Sequence, residues 1–227
     1  MACGGAERER CRTAPSTPRR PQQERGQRRV DAILDSAAAL IADEGVAAVT
    51  MHRVARRSGT TTGSMYHFFP DREALLRALV ARHAQALRAL MSELEREAAG
   101  RWKELSTPDA VALFLGPFVG YVDRNPDLLP LARAARTAEW SAGRDAELDA
   151  LMLRLAEALV ASRDPAAPHD AIACRAVAIL AITDGIVTAM GHLSAPGRST
   201  RLPATLRDDL RGELRRALVA YLDSHAR

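Results

Sequence analysis

The side chains that could do covalent chemistry in this 227-residue chain do not gather. Its six histidines stand apart at 52, 67, 83, 169, 192 and 225, and no nucleophile motif accompanies them. The three cysteines, Cys3, Cys11 and Cys174, form no C-x-x-C pair, so neither a disulfide framework nor a closed zinc site is expected. What does gather is hydrogen-bonding chemistry. Thr61, Thr62, Ser64 and His67 are donors and acceptors within seven residues, with Gly63 among them. Such side chains reach base edges or phosphates without an apolar obstacle, and a glycine lets backbone come close to a nucleic acid. Arg53, Arg56, Arg57 and Arg72 flank the run, suited to phosphate oxygens.

These residues need elements to hold them. Thr50 is a helix N-cap, and Val54 and Ala55 give the helix after it a small apolar side. Gly59 stands where that helix must stop and turn, a position favouring positive φ. Thr61 can cap a second helix over about 62–68. Pro70 and Asp71 close it and open a third, with Glu73 in the first turn, where negative charge suits the helix dipole. A helix, a short glycine turn and a second helix form a DNA-reading motif. A helical corner with ordinary surface polars is the alternative reading.

Over Arg28 to Leu76 the chain resembles the N-terminal domain of the TetR (tetracycline repressor) family of transcriptional regulators. The resemblance rests on Ile33 to Gly45, Thr50, Val54-Ala55, Gly59, Thr61, Gly63, Tyr66-His67-Phe68-Phe69 and Pro70-Asp71-Arg72-Glu73-Ala74-Leu75. It implies that Thr50, Thr61, Thr62, Gly63, Tyr66, His67 and Arg72 fall where family members touch DNA. Tyr66 and Arg72 would hold phosphates, Thr62 and Gly63 would lie nearest the bases, and Phe69 would be core. Family members often carry Lys or Arg where this chain has Thr62, and His where it has Phe68. The recognition helix is therefore uncharged apart from His67, which leaves the operator sequence open.

The totals fit an all-α protein of about nine helices, rich in Ala, Leu, Arg and Glu, with no convincing period-two strand. The net charge of +4 is unevenly placed: residues 1–29 hold eight arginines against three glutamates, and the remainder is close to neutral. Residues 1–27, with prolines at 15, 18 and 21, read as a disordered basic arm that either adds DNA affinity or is an untidy terminus. Residues 28–72 form the helix-turn-helix DNA-binding domain, and 73–227 a helical effector-binding and dimerisation domain. No apolar run approaches the ~20 residues that span a bilayer, so a cytoplasmic protein without membrane contact is expected.

Helix four should be a rod from about Arg72 to Ala99, long enough to join both domains, with His83 on its apolar stripe as a packing histidine. Helices follow at about 108–123, 127–137, 142–162, 170–193 and 204–224, with a Gly/Pro/Ser/Thr link over 194–203. Helix eight is apolar almost all round and should be covered on several sides. Helices eight and nine together have more apolar face than one core needs, which points to a two-fold homodimer through about 170–193 and 204–224. Such a dimer sets two recognition helices about one DNA turn apart, so the DNA partner is a double-stranded palindromic operator.

Helices five to eight should enclose a pocket for a small-molecule effector. The candidate lining is Phe114, Phe118, Tyr121, Trp140, Met152, Thr183, Asp184 and Met190, although aromatics at helical spacing are also ordinary core. Asp184, an acid inside the most apolar helix, could meet a cationic ligand, pair with an arginine at the subunit contact, or face water beside Gly185. Trp102 and Trp140 could instead wedge loops onto the body. No metal and no cofactor is called for. The function expected is a dimeric repressor released by a small molecule. The alternatives are a DNA-binding dimer without an effector and, more remotely, a helical enzyme.

Overall fold

The computed structural model describes residues 20–140, 145–193 and 204–225. Among these residues there are no strands. The helices are α1 Arg20–Glu44, α2 Met51–Arg57, α3 Thr62–Phe68, α4 Arg72–Ala98, α5 Thr107–Arg124, α6 Leu128–Thr137, α7 Ala146–Arg163, α8 His169–Leu193 and α9 Ala204–Asp223, with a 3₁₀ turn at Val46–Ala48 between α1 and α2. Helix α1 begins seven residues earlier than expected, inside the segment read as a disordered arm. Pro21 does not oppose this, because a first-turn residue has no intrahelical N–H bond to lose. The rest of the arm, with Cys3 and Cys11, and the link over 194–203 lie outside the described residues.

Two apolar cores form. The first joins Ile33, Leu34, Ala37, Leu40 and Ile41 of α1 to Val54 and Ala55 of α2, Met65 of α3, and Leu75, Leu76 and Leu79 of α4. The second joins Met91, Leu94 and Ala98 of α4 to buried faces of α5, α7, α8 and α9, with Trp102 wedged into it. At ~1.5 Å per residue, α4 runs roughly 40 Å and serves both cores from one stripe. Between them the stripe carries His83 and Leu87. A second bridge is α6. Its Leu131 is 1% exposed within the first core, and α6 packs on α1, the 3₁₀ turn, α4 and α8.

The cap of α5 is Ser106 rather than Thr107: its Oγ accepts from the Asp109 N–H at 3.3 Å, and Pro108 sits in the first turn. Helix α8 departs from expectation in two ways. Over His169–Met190 it is long and apolar enough to cross a membrane by length and composition, which corrects the reading that no stretch approaches that length. Nor is it covered all round. Ala176, Ile179, Thr183 and Met190 are buried against the body, while Cys174, Val177, Ala181 and Asp184 are exposed. Val177, at 56% exposure, is an unusually open large apolar side chain for a globular surface.

Candidate nucleic-acid interface and cavity

The turn between α2 and α3 is built from local bonds. The Thr50 hydroxyl accepts the Arg53 N–H at 3.3 Å and so caps α2. Ser58 closes that helix, and Gly59 follows at φ 64°, where a side chain is strained. The Thr60 N–H then reaches back to the Ala55 carbonyl at 3.0 Å, the six-to-one closure that a glycine stop permits. Thr61 caps α3 by accepting the Ser64 N–H at 3.2 Å, and Asp71 caps α4 by accepting the Ala74 N–H at 2.6 Å.

Helix α3 has two distinct faces. Met65 is fully buried, Phe68 is half-buried on the first core and Phe69 is buried, so these residues anchor it. Thr61, Thr62, Gly63, Tyr66 and His67 are exposed, with the Tyr66 ring 51% open. Ser64 is half-buried, and its hydroxyl takes a 3.5 Å hydrogen bond from Arg29 Nη1 of α1. Gly63 is informative. A Cβ built there would meet no heavy atom within 4 Å, and its φ is not positive. Neither packing nor backbone geometry within the chain requires glycine, although glycine costs a helix up to ~1 kcal/mol relative to alanine.

The flanking arginines divide. Arg56 is exposed. Arg72, expected at a phosphate, points inward: its Nε donates to the Val49 carbonyl at 2.8 Å and its Nη2 to the Val46 carbonyl at 2.9 Å. These bonds satisfy carbonyls of the 3₁₀ turn and the α2 approach, and so fix where α2 begins. Arg53 is likewise engaged, with Glu44 at 2.5 Å and the Ala48 carbonyl at 3.4 Å. That hydrogen bond holds the Glu44 carboxyl below the usual carboxylate value and raises Arg53. Arg57 pairs with Asp43 at 3.0 Å.

In the second body, two cavities lie side by side. One, of 240 Å³, is lined by Met91, Phe114, Phe118, Met152, Leu180 and Thr183, among others. The other, of 580 Å³, lies between α4 and α6, with Val80, His83, Leu128, Leu131, Ala132 and Arg136 in its wall. Phe114, Phe118, Met152, Thr183 and Asp184 thus line a cavity as expected. Three expected lining residues are placed elsewhere. Tyr121 bonds to His83, Trp140 packs against the first core, and Met190 is buried without lining either cavity. Asp184 is not a buried acid: it is exposed on α8 and pairs with Arg136 of α6 at 2.5 Å.

Two features were missed in the sequence. His83, 3% exposed, bonds through Nδ1 to the Tyr121 hydroxyl at 2.8 Å and through Nε2 to Asp127 Oδ2 at 2.9 Å. With the ring neutral, the Nε2–H donates to the carboxylate and Nδ1 accepts from the phenol. Asp127, 4% exposed, directly precedes α6, so this chain of bonds ties α4, α5 and α6 together. Burial raises the Tyr121 hydroxyl above its ordinary pKa, and the Asp127 charge adds to the shift. The other missed feature is Arg136. Only His83 had a sequence signal, as a polar residue on an apolar stripe; its partners lie 38 and 44 residues away.

The model for the bacterial regulatory proteins of the tetR family matches residues 33–79. The HTH-type transcriptional regulator BetI of Rhizobium meliloti is 34% identical over 77 residues, 34% of each chain. The HTH-type transcriptional repressor KstR2 of Mycolicibacterium smegmatis is 33% identical over 91 residues, 37% of this chain and 42% of that one. Less than half of either relative is spanned. The fold extends further than the sequence likeness. A TetR transcription regulator from Haloarcula marismortui superposes with a TM-score of 0.65 over 88% of this chain and 100% of its own, at 18% identity. The chain belongs to the TetR family of transcriptional regulators, and the family's DNA-binding domain occupies its first core.

Proposed function

We propose that the chain is a cytoplasmic, homodimeric repressor that reads a palindromic operator with α3 and releases it when a small molecule fills the cavity of the second body. The observation that carries the DNA reading is the outer face of α3, where Gly63 is left bare for no internal reason. Backbone at Gly63 and the Thr62 side chain lie nearest the bases. Thr61 and Thr50 accept their cap bonds through lone pairs, so each keeps an O–H to donate to phosphate. Tyr66 and His67 complete the contact. Arg72 works from behind, holding the 3₁₀ turn and α2 in place.

The exposed stripe of Cys174, Val177 and Ala181 on α8 supports pairing with a second copy. With α9 beside α8, two copies make a four-helix contact. Release follows from the bridges: α4 and α6 both line the larger cavity and both enter the first core. A ligand that prefers one arrangement of these helices moves the recognition helices of both subunits. The test is a footprint on DNA upstream of the chain's own coding region, with and without a metabolite panel. Protection of a palindrome, lost with one compound, is expected; no protection at low salt overturns the proposal.

A further inference from the structure

The two cavities share a waist, and its polar chemistry selects a ligand. Leu87, Leu148, Asp149 and Asp184 line both spaces. On one side lies an apolar lobe bearing Phe114, Phe118, Met152 and Leu180. On the other, Ala84, Ala132 and Ala135 leave the wider space open. The described ionisable residues of the combined lining are Asp145, Asp149, Asp184, Arg136 and His83. His83 is committed to Asp127 and Tyr121, and Asp145 is bound by Arg88.

The contact able to change partners at the waist is Arg136–Asp184. Its two side chains are 51% and 53% exposed. An ion pair in that much water contributes little net stability, so either member can let go cheaply. The balance changes when an apolar body fills the lobe and expels water, because attraction between unlike charges then strengthens. An ammonium carried in on that body gains Asp184, while Arg136 swings into solvent. A carboxylate on the same body meets Asp184 and Asp149 and is repelled.

We infer that the ligand is a cationic amphiphile, an ammonium on an apolar chain, which displaces Arg136 from Asp184. This rests on the ligand-release reading above and adds a latch to it. Arg136 stands in the last turn of α6, so its pair with Asp184 ties α6 to α8. Five residues earlier on the same helix, Leu131 is seated in the first core. Displacing Arg136 therefore frees the helix that touches α1 and the 3₁₀ turn.

The test is calorimetric titration of the full chain at pH 7 with decylammonium, 1-decanol and decanoate, each below its aggregation limit. Decylammonium should bind about tenfold tighter than 1-decanol, the scale of one charge-assisted hydrogen bond, and decanoate weakest. Asp184→Asn should bring decylammonium to within about threefold of 1-decanol. Arg136→Gln should tighten it, because the competitor is gone; both residues are exposed, so folding is not at stake. Equal binding of all three, or preference for decanoate, overturns the cationic class and leaves ligand release standing. No binding of any of them overturns both. Tight decylammonium binding without weaker DNA binding supports the site and refutes release.

Discussion

Gly63→Ala separates folding from function, because the two should move in opposite directions. The added methyl meets no atom of the chain within 4 Å, so it introduces no clash. It removes the conformational cost of glycine in a helix of only seven residues, a gain of about 0.4–1 kcal/mol. For a chain of this size that corresponds to a rise in melting temperature of roughly 1–4 °C. On DNA the methyl projects from the face that carries Thr62, Tyr66 and His67. If backbone approaches the duplex there, the helix must back away, with a loss of about tenfold in affinity or more, ~1.4 kcal/mol. Thermal melting followed by circular dichroism reads the first effect, and fluorescence anisotropy with a labelled duplex at fixed salt reads the second. A lower melting temperature would show that the fold itself needs the glycine. Unchanged affinity would show that α3 does not approach DNA at this point. Either result refutes the reasoning.

Other expectations follow from single contacts. Arg72→Ala should cost roughly 1–3 kcal/mol of stability, since two carbonyls lose a charged donor, and should leave the salt slope of DNA binding unchanged. A flatter slope would return Arg72 to the phosphates. Tyr66→Phe should weaken binding to all sequences alike, whereas Thr62→Ala should change base preference at one position; a panel of singly substituted duplexes distinguishes them. His83→Leu strands the Asp127 carboxylate and should cost ~3 kcal/mol in denaturant melts, most of it recovered when Asp127→Leu is added. Tyr121 has a raised pKa in the folded state. The stability this represents is fully present below the ordinary tyrosine value near 10 and is lost as pH rises through the folded value. Tyr121→Phe should therefore flatten the alkaline limb of the stability profile; an unaltered limb contradicts the burial of that hydroxyl.

What could be read from the sequence was local. Thr50, Thr61 and Asp71 cap the helices they precede, and Gly59 takes the positive φ its position demanded, because caps and stops are decided within four or five residues. The apolar stripes of α1 and α4 likewise came from spacing alone. What escaped depends on distance along the chain or on shortness. Val46–Ala48 is a single turn, too brief to show a period. The start of α1 at Arg20 was hidden by arm-like composition. Arg72 has the residue type of a phosphate ligand, and only the carbonyls 23 and 26 residues upstream reveal its structural use. Trp140 was placed in the pocket by type, but it rests on the other core. Asp184 looked buried because its helix is apolar, yet it lies on the open side, where apolar composition serves a surface rather than an interior.

The account depends on two copies of α3 seated in grooves one turn apart, and helical phasing tests this most directly. Once a footprint defines the operator, about five base pairs, half a turn, are inserted between its half-sites. The account predicts that two chains bind each intact duplex and that the insertion lowers affinity to that of a single half-site. Unchanged affinity, or one chain per intact duplex, would contradict it.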